Sequence, residues 1–560
     1  MNIFSRDIAA VFLFREEKRE QYFGLLIAAI AFLVYANSTG NGFVSDDHSV
    51  ILNNSVLRAA PVSLFNTIDT TSDTQLSPYY RPLTYLTFLI EERLHGFDPF
   101  MMHLFNVLLH AVNAFLVYRL GIALLNDQKA ALLAGLLFAV HPVHTEGVNF
   151  LSGGRNTMLA CFFILAAVLI HRRAVLKSRF QVALFGAALF LAGLFSKEMA
   201  MMVLPFILFL EIPNIKEGLS GERLKSALRL SPYAVAAFVY LFMRWQTLSR
   251  LGIQRGIVPD FGEQNLNGIY IIPGLAERLL DNIYIVPRYI LTIVWPAALS
   301  PRYEVPDDFN LYALPLFIGW LSIIAALAWL LRRGRSKTGL FGLSWLALFW
   351  LPVSGLFYFS SVTLADRFLY IPAIGLWMIA ADHTVRFAPT ASSARRYGTI
   401  FICVLLLVLA SLTVMRNMDW RNDITLTSRL AEQYPENPWG HLHLGSAYIQ
   451  RRGEHDLELA EKEFEKALAL DHTMQSVYTP LGYIKLEKGD FEGAVYYYSE
   501  ALAIFPFDRD ARINRGIAYE KLGRYKEALA DYQFYLTIPT YNNVPGSNEY
   551  AEKNNGTCAI

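Results

Sequence analysis

The chain has 560 residues, 54% of them apolar and 17% charged, against roughly 45–50% and about 25% in soluble domains. With a mean hydropathy of +0.32, this composition points to a lipid environment and excludes an ordinary soluble enzyme. A net charge of +1 gives no reason to expect a nucleic-acid partner, and three cysteines (Cys161, Cys403, Cys558) exclude a disulfide scaffold or a cysteine-rich metal cluster.

Long apolar runs recur from residue 21 to 416, several near the roughly 20 residues a helix needs to cross a bilayer. The clearest are 21–37, 101–120, 130–148, 154–171, 230–247, 309–331, 339–358, 366–385 and 396–415. The run 180–212 is too long for one span and is broken by Ser196-Lys197-Glu198, so it reads as two short helices meeting at that charged point. The run 281–299 is ambiguous, because it carries Asp281, Pro287, Arg288 and Pro296. Basic clusters fall in 1–20, 172–179, 216–229, 332–337 and 386–396. All five lie on the cytoplasmic side if 180–212 crosses twice and 281–299 does not cross. This gives about eleven spans, a cytoplasmic segment 1–20, and everything after 416 outside. Crossing 180–212 once and using 281–299 as a span also closes, but places the 216–229 cluster outside. The first run follows a long charged lead-in, which fits a membrane span better than a cleaved signal.

After Arg416 the composition changes: residues 423–540 hold 19 acidic and 13 basic side chains. Gly482 to Gly516 and Ala494 to Ala528 are each 34 residues apart, while Gly445 to Gly482 is 37. The three extra residues are expected in the turn around Gly453–Glu458. A 34-residue period with small residues at helix crossings and aromatics between them is the tetratricopeptide signature. About three such repeats are expected over 423–540, followed by a loose tail at 541–560 rich in Asn, Gly and Ser. The expected fold is therefore all-α: a polytopic membrane helix bundle over 21–416, then a soluble tetratricopeptide α-solenoid.

On this topology the unusual ionisable residues gather on the external face. They are Asp46-Asp47 after the first span, Arg81, then His141, His144 and Glu146, Arg155, Lys197-Glu198, and Asp366-Arg367. Ionisable groups at membrane depth are costly and mark a functional site by default, although any one of them could be a structural pair. Adjacent buried carboxylates raise each other's pKa, and a carboxylate near an acceptor hydroxyl can serve as general base. Arg and Lys bind an anionic phosphate by charge-assisted hydrogen bonds. Together they suggest transfer from a lipid phosphate donor. His141, His144 and Glu146 raise the option of a metal, but Pro142 disfavours a regular helical pair and the pattern is not H-E-x-x-H, so no metal or other cofactor is expected. There is no phosphate loop of an ATP-driven pump and no serine or cysteine nucleophile motif.

Several short motifs then occur in order. They are Phe43-x-x-Asp46-Asp47, Tyr80-Arg81-Pro82, His103-x-x-Asn106-x-x-x-His110, His141-Pro142-Val143-His144-x-Glu146, Gly154-Arg155, Ser196-Lys197-Glu198 and Asp366-Arg367-Phe368-Leu369-Tyr370-Ile371-Pro372. In this order, and ahead of a tetratricopeptide array, they resemble the transmembrane and tetratricopeptide-repeat O-mannosyltransferase family of the C-type glycosyltransferase fold. The resemblance covers roughly 20–540. It implies a polyprenyl-phosphate sugar donor, mannose or another hexose, an external or lumenal active site, and transfer with inversion to a hydroxyl, Ser or Thr of a protein.

On that resemblance, Asp46 matches the catalytic carboxylate and Asp47 would orient Asp46 or the acceptor. Arg81, Arg155, Lys197 and Arg367 would hold the donor phosphate. His141, His144, Glu146, Glu198 and Tyr370 would contact substrate or support those that do, while His103 and His110 are packing residues. The alternative for the acid pair is a turn or N-cap, since Ser45, Asp46 and Asp47 are all good capping types. The repeat groove would take a protein or peptide acceptor. Only about three repeats are visible, fewer than in many relatives, so a lipid or polysaccharide acceptor stays open. The implied place is a bacterial inner membrane with the site periplasmic, or the endoplasmic reticulum lumen in a eukaryote. The competing class is a non-catalytic envelope scaffold assembled through the repeat domain. A lipid-sugar transporter is a third, disfavoured by the lack of internal duplication within 21–416.

Overall fold

The computed structural model of the chain describes residues 18–54, 79–125, 127–177, 179–217, 220–250, 275–300, 337–356, 364–389 and 391–537, with a few isolated positions between. The described residues are almost wholly helical, apart from four strands of two or three residues. They divide into two compact units, one essentially up to Asn422 and one chiefly from Asp423 onward.

The first unit opens with α1 (Lys18–Tyr35), followed by α2 (Pro82–His95), α3 (Pro99–Leu125), α4 (Gln128–Val140), the short α5 (Thr145–Asn149) and α6 (Leu151–Lys177). Then come α7 (Phe180–Ser196), α8 (Val203–Glu217), α9 (Ser220–Arg250), α10 (Leu275–Val294), α11 (Lys337–Trp350), α12 (Ala373–Arg386) and α13 (Ser392–Asp419). Among the described residues, five helices are long and apolar enough to cross a membrane: 18–40, 99–125, 151–176, 221–249 and 392–419. The chain is an integral membrane protein. Helices α3 and α6 are the inner ones, whereas α13 leaves side chains such as Phe401 and Leu407 outward, where only lipid tails suit them.

Local chemistry explains where these helices stop. Pro82 begins α2 at a position where its missing N–H costs nothing, and Gly96, at φ +68°, ends it in the left-handed conformation. Asp127 caps α4, its carboxylate accepting from the N–H groups of Lys129 (2.8 Å) and Ala130 (3.1 Å). The expected span 130–148 is not one rod. It bends by 54° between α4 and the segment 142–149, because Pro142 steers His141 out of the helical region. The run 180–212 breaks at Lys197, which is extended at φ −159° and ψ 138° between α7 and the turn leading to α8. The run 366–385 starts as a tight turn, Asp366–Leu369, before α12. The expected span 309–331 lies, but for residues 319–320, outside the described residues, as do 1–17 and the tail 541–560.

Small residues let the helices approach. A Cβ on Gly342 of α11 would lie 2.8 Å from the Gly375 carbonyl oxygen of α12, and one on Gly375 would lie 2.9 Å from the Leu346 nitrogen. Away from the helix breaks, a buried charge cluster joins three helices. Glu211 of α8 takes Nε and Nη2 of Arg229 (2.8 and 2.9 Å) and the Ser226 hydroxyl (2.8 Å), both on α9, with His171 of α6 at 3.4 Å.

The second unit is a run of seven helices: α14 (Asp423–Gln433), α15 (Pro438–Arg451), α16 (Asp456–Leu470), α17 (Gln475–Glu487), α18 (Phe491–Ile504), α19 (Arg509–Lys521) and α20 (Tyr525–Thr537). In three successive pairs a glycine on the first helix faces an aromatic ring on the second: Gly445 with Phe464, Gly482 with Tyr498, and Gly516 with Tyr532. A Cβ at these glycines would stand 2.7, 2.7 and 2.5 Å from the ring. The first pair is separated by 19 residues and the others by 16, so the three extra residues fall inside the first pair, as the sequence spacing suggests.

The Glu211 cluster yields a stability prediction. Arg229→Leu leaves a fully buried carboxylate without its bidentate partner and should cost about 3–5 kcal/mol, read as a lowered melting temperature in detergent. The double variant Glu211→Leu/Arg229→Leu should recover most of that loss. If the double variant melts no higher than the single one, the pair is not what stabilises this end of the bundle.

Candidate functional site

The site is built where helices are interrupted. After α1 the chain makes a tight turn (Ala36–Gly40) and enters the loop that carries the acid pair. Several remote groups pin this loop. The Gly42 N–H donates to the Arg421 carbonyl (2.9 Å), and the Gly42 carbonyl accepts from His103 Nε2 (3.2 Å). Asn41 Nδ2 donates to Asn149 Oδ1 (2.7 Å) and to the Asn417 carbonyl (3.0 Å), and Asn149 Nδ2 donates to Asn417 Oδ1 (2.9 Å).

Asp47 is fully buried and acts as the loop's inner anchor. Its Oδ2 accepts from the Val44 N–H (3.2 Å) and its Oδ1 from the Ser152 N–H at the start of α6 (2.7 Å). Ser45, at φ +53°, takes the left-handed conformation that a side chain rarely adopts. The reversal leaves Asp46 exposed next to its buried neighbour. Burial pushes the Asp47 carboxyl up to about 7, against its two N–H partners, and the Asp46 charge adds to the rise. Asp46 reaches solvent, yet the protein mass around it strips enough hydration to raise its pKa, with Arg367 opposing the rise.

At the other breaks two guanidiniums and two carboxylates gather around Lys197, and one of them, Arg367, also acts on Asp46. Arg81, just before α2, makes a two-pronged pair with Glu198 (3.0 and 3.1 Å) and lies over the Tyr79 ring at 4.0 Å. Arg367 pairs with Glu146 through both its Nη1 and its backbone N–H, and stands over Phe150 and Phe368. Lys197, between α7 and α8, is 7% exposed. Its Nζ donates to Thr157 Oγ1 at 2.7 Å and lies 5.7 Å from the Phe368 ring centre. Burial, then the nearby Arg81 and Arg367 charges, bring this ammonium down to about 7, with Glu198 and Glu146 opposing. Burial acts to raise the Glu198 carboxyl, but Arg81 and Arg244 outweigh it and hold it below the usual range. The result is a buried ammonium with a neutral hydroxyl as its hydrogen-bond acceptor, set between two guanidiniums. Such a group invites an anion.

The structure therefore brings Asp46, Asp47, Arg81, Glu146, Lys197, Glu198 and Arg367 into one electrostatic neighbourhood. Arg155 lies deeper, within the field of Asp47 but committed to core partners. That guanidinium is wholly buried and committed, Nε to Asn106 Oδ1 (2.5 Å), Nη1 to Glu91 (2.6 Å) and Nη2 to the Met102 carbonyl (2.9 Å), between the Phe88 and Phe105 rings. All three of its nitrogens are engaged by protein acceptors in the core. His141 is also occupied: Nε2 donates to the Ile293 carbonyl (3.0 Å) and Nδ1 accepts from the Val143 N–H (3.2 Å). His144 is packed against Phe138 (4.5 Å between ring centres) and Tyr370 (5.0 Å), and Tyr370 hydrogen-bonds His110 (2.8 Å). These three residues brace the bend after α4 from within the core. Among the described residues no group of three His, Cys, Asp or Glu is placed to hold a metal.

Other participants carry little signal in the sequence. Thr157, the partner of Lys197, is an unremarked hydroxyl in an apolar helix. Asn149 and Asn417 offered the faint signal of amides at the ends of apolar runs. Tyr303, whose hydroxyl donates to Asp366 Oδ1 (2.6 Å), comes from a stretch with no motif.

Fold and site together define a polytopic α-helical membrane protein with an acid-and-cation centre at its helix breaks. A family model described as dolichyl-phosphate-mannose-protein mannosyltransferase matches residues 82–246. That stretch contains Lys197 and Glu198 and leaves Asp46, Asp47 and Arg367 outside. The chain is similar to the protein O-mannosyl-transferase TMTC3 of Homo sapiens, 26% identical over 92% of this chain and 54% of the relative. It is also similar to the Tmtc3 protein of Drosophila melanogaster, 26% identical over 91% of this chain and 58% of that one. The resemblance read from the ordered motifs holds over nine-tenths of the chain, which spans about half the length of these curated relatives. Among solved structures, an Archaeoglobus fulgidus oligosaccharyltransferase aligns at 12% identity with a TM-score of 0.38, covering 72% of this chain and 57% of the other.

The commitment of Arg155 is testable. Arg155→Met strands Glu91 in the core and should destabilise the protein by about 3–5 kcal/mol, seen as a lower melting temperature. Among molecules that remain folded, affinity for a lipid phosphate should be unchanged. A selective loss of phosphate binding at normal stability would return Arg155 to the ligand set.

Proposed function

We propose that this protein is an integral-membrane glycosyltransferase. It moves mannose or another hexose from a polyprenyl-phosphate donor to an acceptor hydroxyl, a Ser or Thr of a protein, with inversion at the anomeric carbon. The observation that carries this reading is the exposed Asp46 carboxylate, next to the anchored and buried Asp47 and within the field of Arg367, whose charge also reaches the buried Lys197. The similarity to protein O-mannosyl-transferases over most of the chain supports it.

In this reading Arg367, Lys197 and Arg81 draw in the donor phosphate. Asp46 accepts the proton of the acceptor hydroxyl as its oxygen attacks the anomeric carbon from the face opposite the phosphate. The bond from that carbon to the phosphate oxygen breaks, and its electron pair leaves with the phosphate, whose gathering charge the three cations stabilise. No protein nucleophile is needed. The basic clusters of the sequence put the N-terminus in the cytoplasm and the site on the outer face. The helices 438–537 recruit the protein acceptor, acting as a tetratricopeptide solenoid with a groove for an extended or helical peptide. A purely scaffolding role gives no reason for an ammonium buried between two guanidiniums.

Asp46→Asn tests the reading. Transfer from a polyprenyl-phosphate hexose to a peptide should fall by about 10²–10⁴, with expression and donor binding retained. Undiminished transfer would overturn it.

The pH dependence follows from the same groups. Asp46 must be ionised, so kcat/KM should rise with pH through a value above the ordinary carboxylate range. Lys197 must be protonated to receive the donor, so the rate should fall again above about 7. Lys197→Arg, whose side chain stays charged to about 12 or beyond, should move the falling limb to higher pH and leave the rising limb in place. A falling limb that Lys197→Arg does not move would assign it to another group.

A further inference from the structure

One residue before Arg367, a second polar cluster lies buried with its hydrogen-bonding capacity unspent. Asp366 has no exposure. Its Oδ1 accepts from Tyr303, while Oδ2 is buried without a hydrogen-bond partner. Arg416, at the end of α13, gives Nη1 to Asp419 (2.7 Å), while Nε and Nη2 are buried and unpartnered. One helical turn on, Trp420 is 2% exposed and its ring packs on Phe150 at 5.8 Å, the ring that Arg367 stands over. Its indole N–H is likewise unpartnered.

Asp366 and Arg416 lie within reach of each other's charge, and both the 366–369 turn and α13 pack on the 142–149 segment. Yet the two side chains form no ion pair. Opposite charges buried this near would be expected to close on each other unless something polar belongs between them. The unspent atoms are one carboxylate oxygen and three donor nitrogens, which carry four N–H groups between them. An anion would suit the donors but meet Asp366, with Glu146 also close by. A hydroxyl group both donates and accepts, so neighbouring hydroxyls of one sugar ring can satisfy the acceptor and the donors together. The adjoining cations Arg367 and Lys197 then suit the phosphate to which that ring is attached.

We propose that Asp366, Arg416 and Trp420 form a sugar-hydroxyl subsite that reads the hexose of the donor beside the phosphate-binding cations. Asp366 Oδ2 accepts from one ring hydroxyl, and Arg416 and the indole N–H donate to its neighbours. This rests on the glycosyltransferase reading above and adds to it the part of the site that distinguishes one sugar from another.

The experiment compares binding of polyprenyl-phosphate mannose with binding of polyprenyl phosphate lacking the sugar, using the full chain in lipid nanodiscs. Asp366→Asn and Arg416→Lys should each weaken binding of the mannosylated lipid about tenfold or more. The same variants should leave the sugar-free lipid bound as in the unmodified chain. Lys197→Met should weaken both lipids. If Asp366→Asn does not accumulate in membranes, Arg416→Lys carries the comparison. Equal losses for the two lipids, or no loss for either, overturn the subsite. An unmodified chain that binds neither lipid overturns the transferase reading instead.

Discussion

Everything in the membrane-embedded unit turns on the cost of placing charge where water is scarce. A buried ion must find partners within the protein, and a continuous apolar helix offers none. The chain answers by interrupting its helices. Asp46 and Asp47 follow α1, Arg81 precedes α2, the 142–149 segment bends away from α4, Lys197 divides α7 from α8, and Asp366 and Arg367 form the turn before α12. At each interruption backbone groups and polar side chains become available to one another, so the charged residues and the breaks occur together.

The partners are shared out unevenly, and the unevenness separates support from chemistry. Arg155 and Arg229 spend their donors on protein acceptors, and their carboxylates Glu91 and Glu211 are correspondingly buried. Such pairs lock helices together. Lys197 has a hydroxyl where a carboxylate would be expected, and Asp46 looks outward while Asp47 alone is tied down. A group whose partner is incomplete in the resting fold is a group able to receive one from outside. The asparagines Asn41, Asn149 and Asn417 contribute differently. Their amides join the acid loop, the bent 142–149 segment and the end of α13, and so fix the geometry without adding charge.

Much of this arrangement can be read in the one-dimensional chain, because cost leaves a trace. Lys197 interrupting an otherwise apolar run, Asp46-Asp47 at the end of the first span, and Asp366-Arg367 at the head of another are visible as charges where charge is expensive. The 34-residue spacing of Gly482 and Gly516 is visible because each must admit an aromatic ring from the next helix. Less legible were the residues whose role depends on direction. Arg155 reads like Arg367 in sequence, yet one is committed to Glu91, Asn106 and a carbonyl in the core, while the other pairs with Glu146 and also lies in the field of Asp46. His141 and His144 read as potential ligands, yet both ring nitrogens of His141 are taken up by backbone groups and the His144 ring is packed among neighbouring rings.

Composition and order alone determined that the chain enters a membrane, where its apolar runs stop, that a helical repeat follows, and which ionisable residues are too costly to be incidental. These are properties of the chain as a string, since transfer free energy and periodicity depend on what is adjacent. Which of those residues meet was decided only by the folded bundle. Lys197 and Arg367 are 170 positions apart, and Asp366 comes within the field of Arg416 through packing on a third segment. Whether a guanidinium is committed wholly to core partners or also reaches an outward acid depends on the direction of each Cα–Cβ bond at a helix crossing, and sequence spacing does not encode that direction across so many residues.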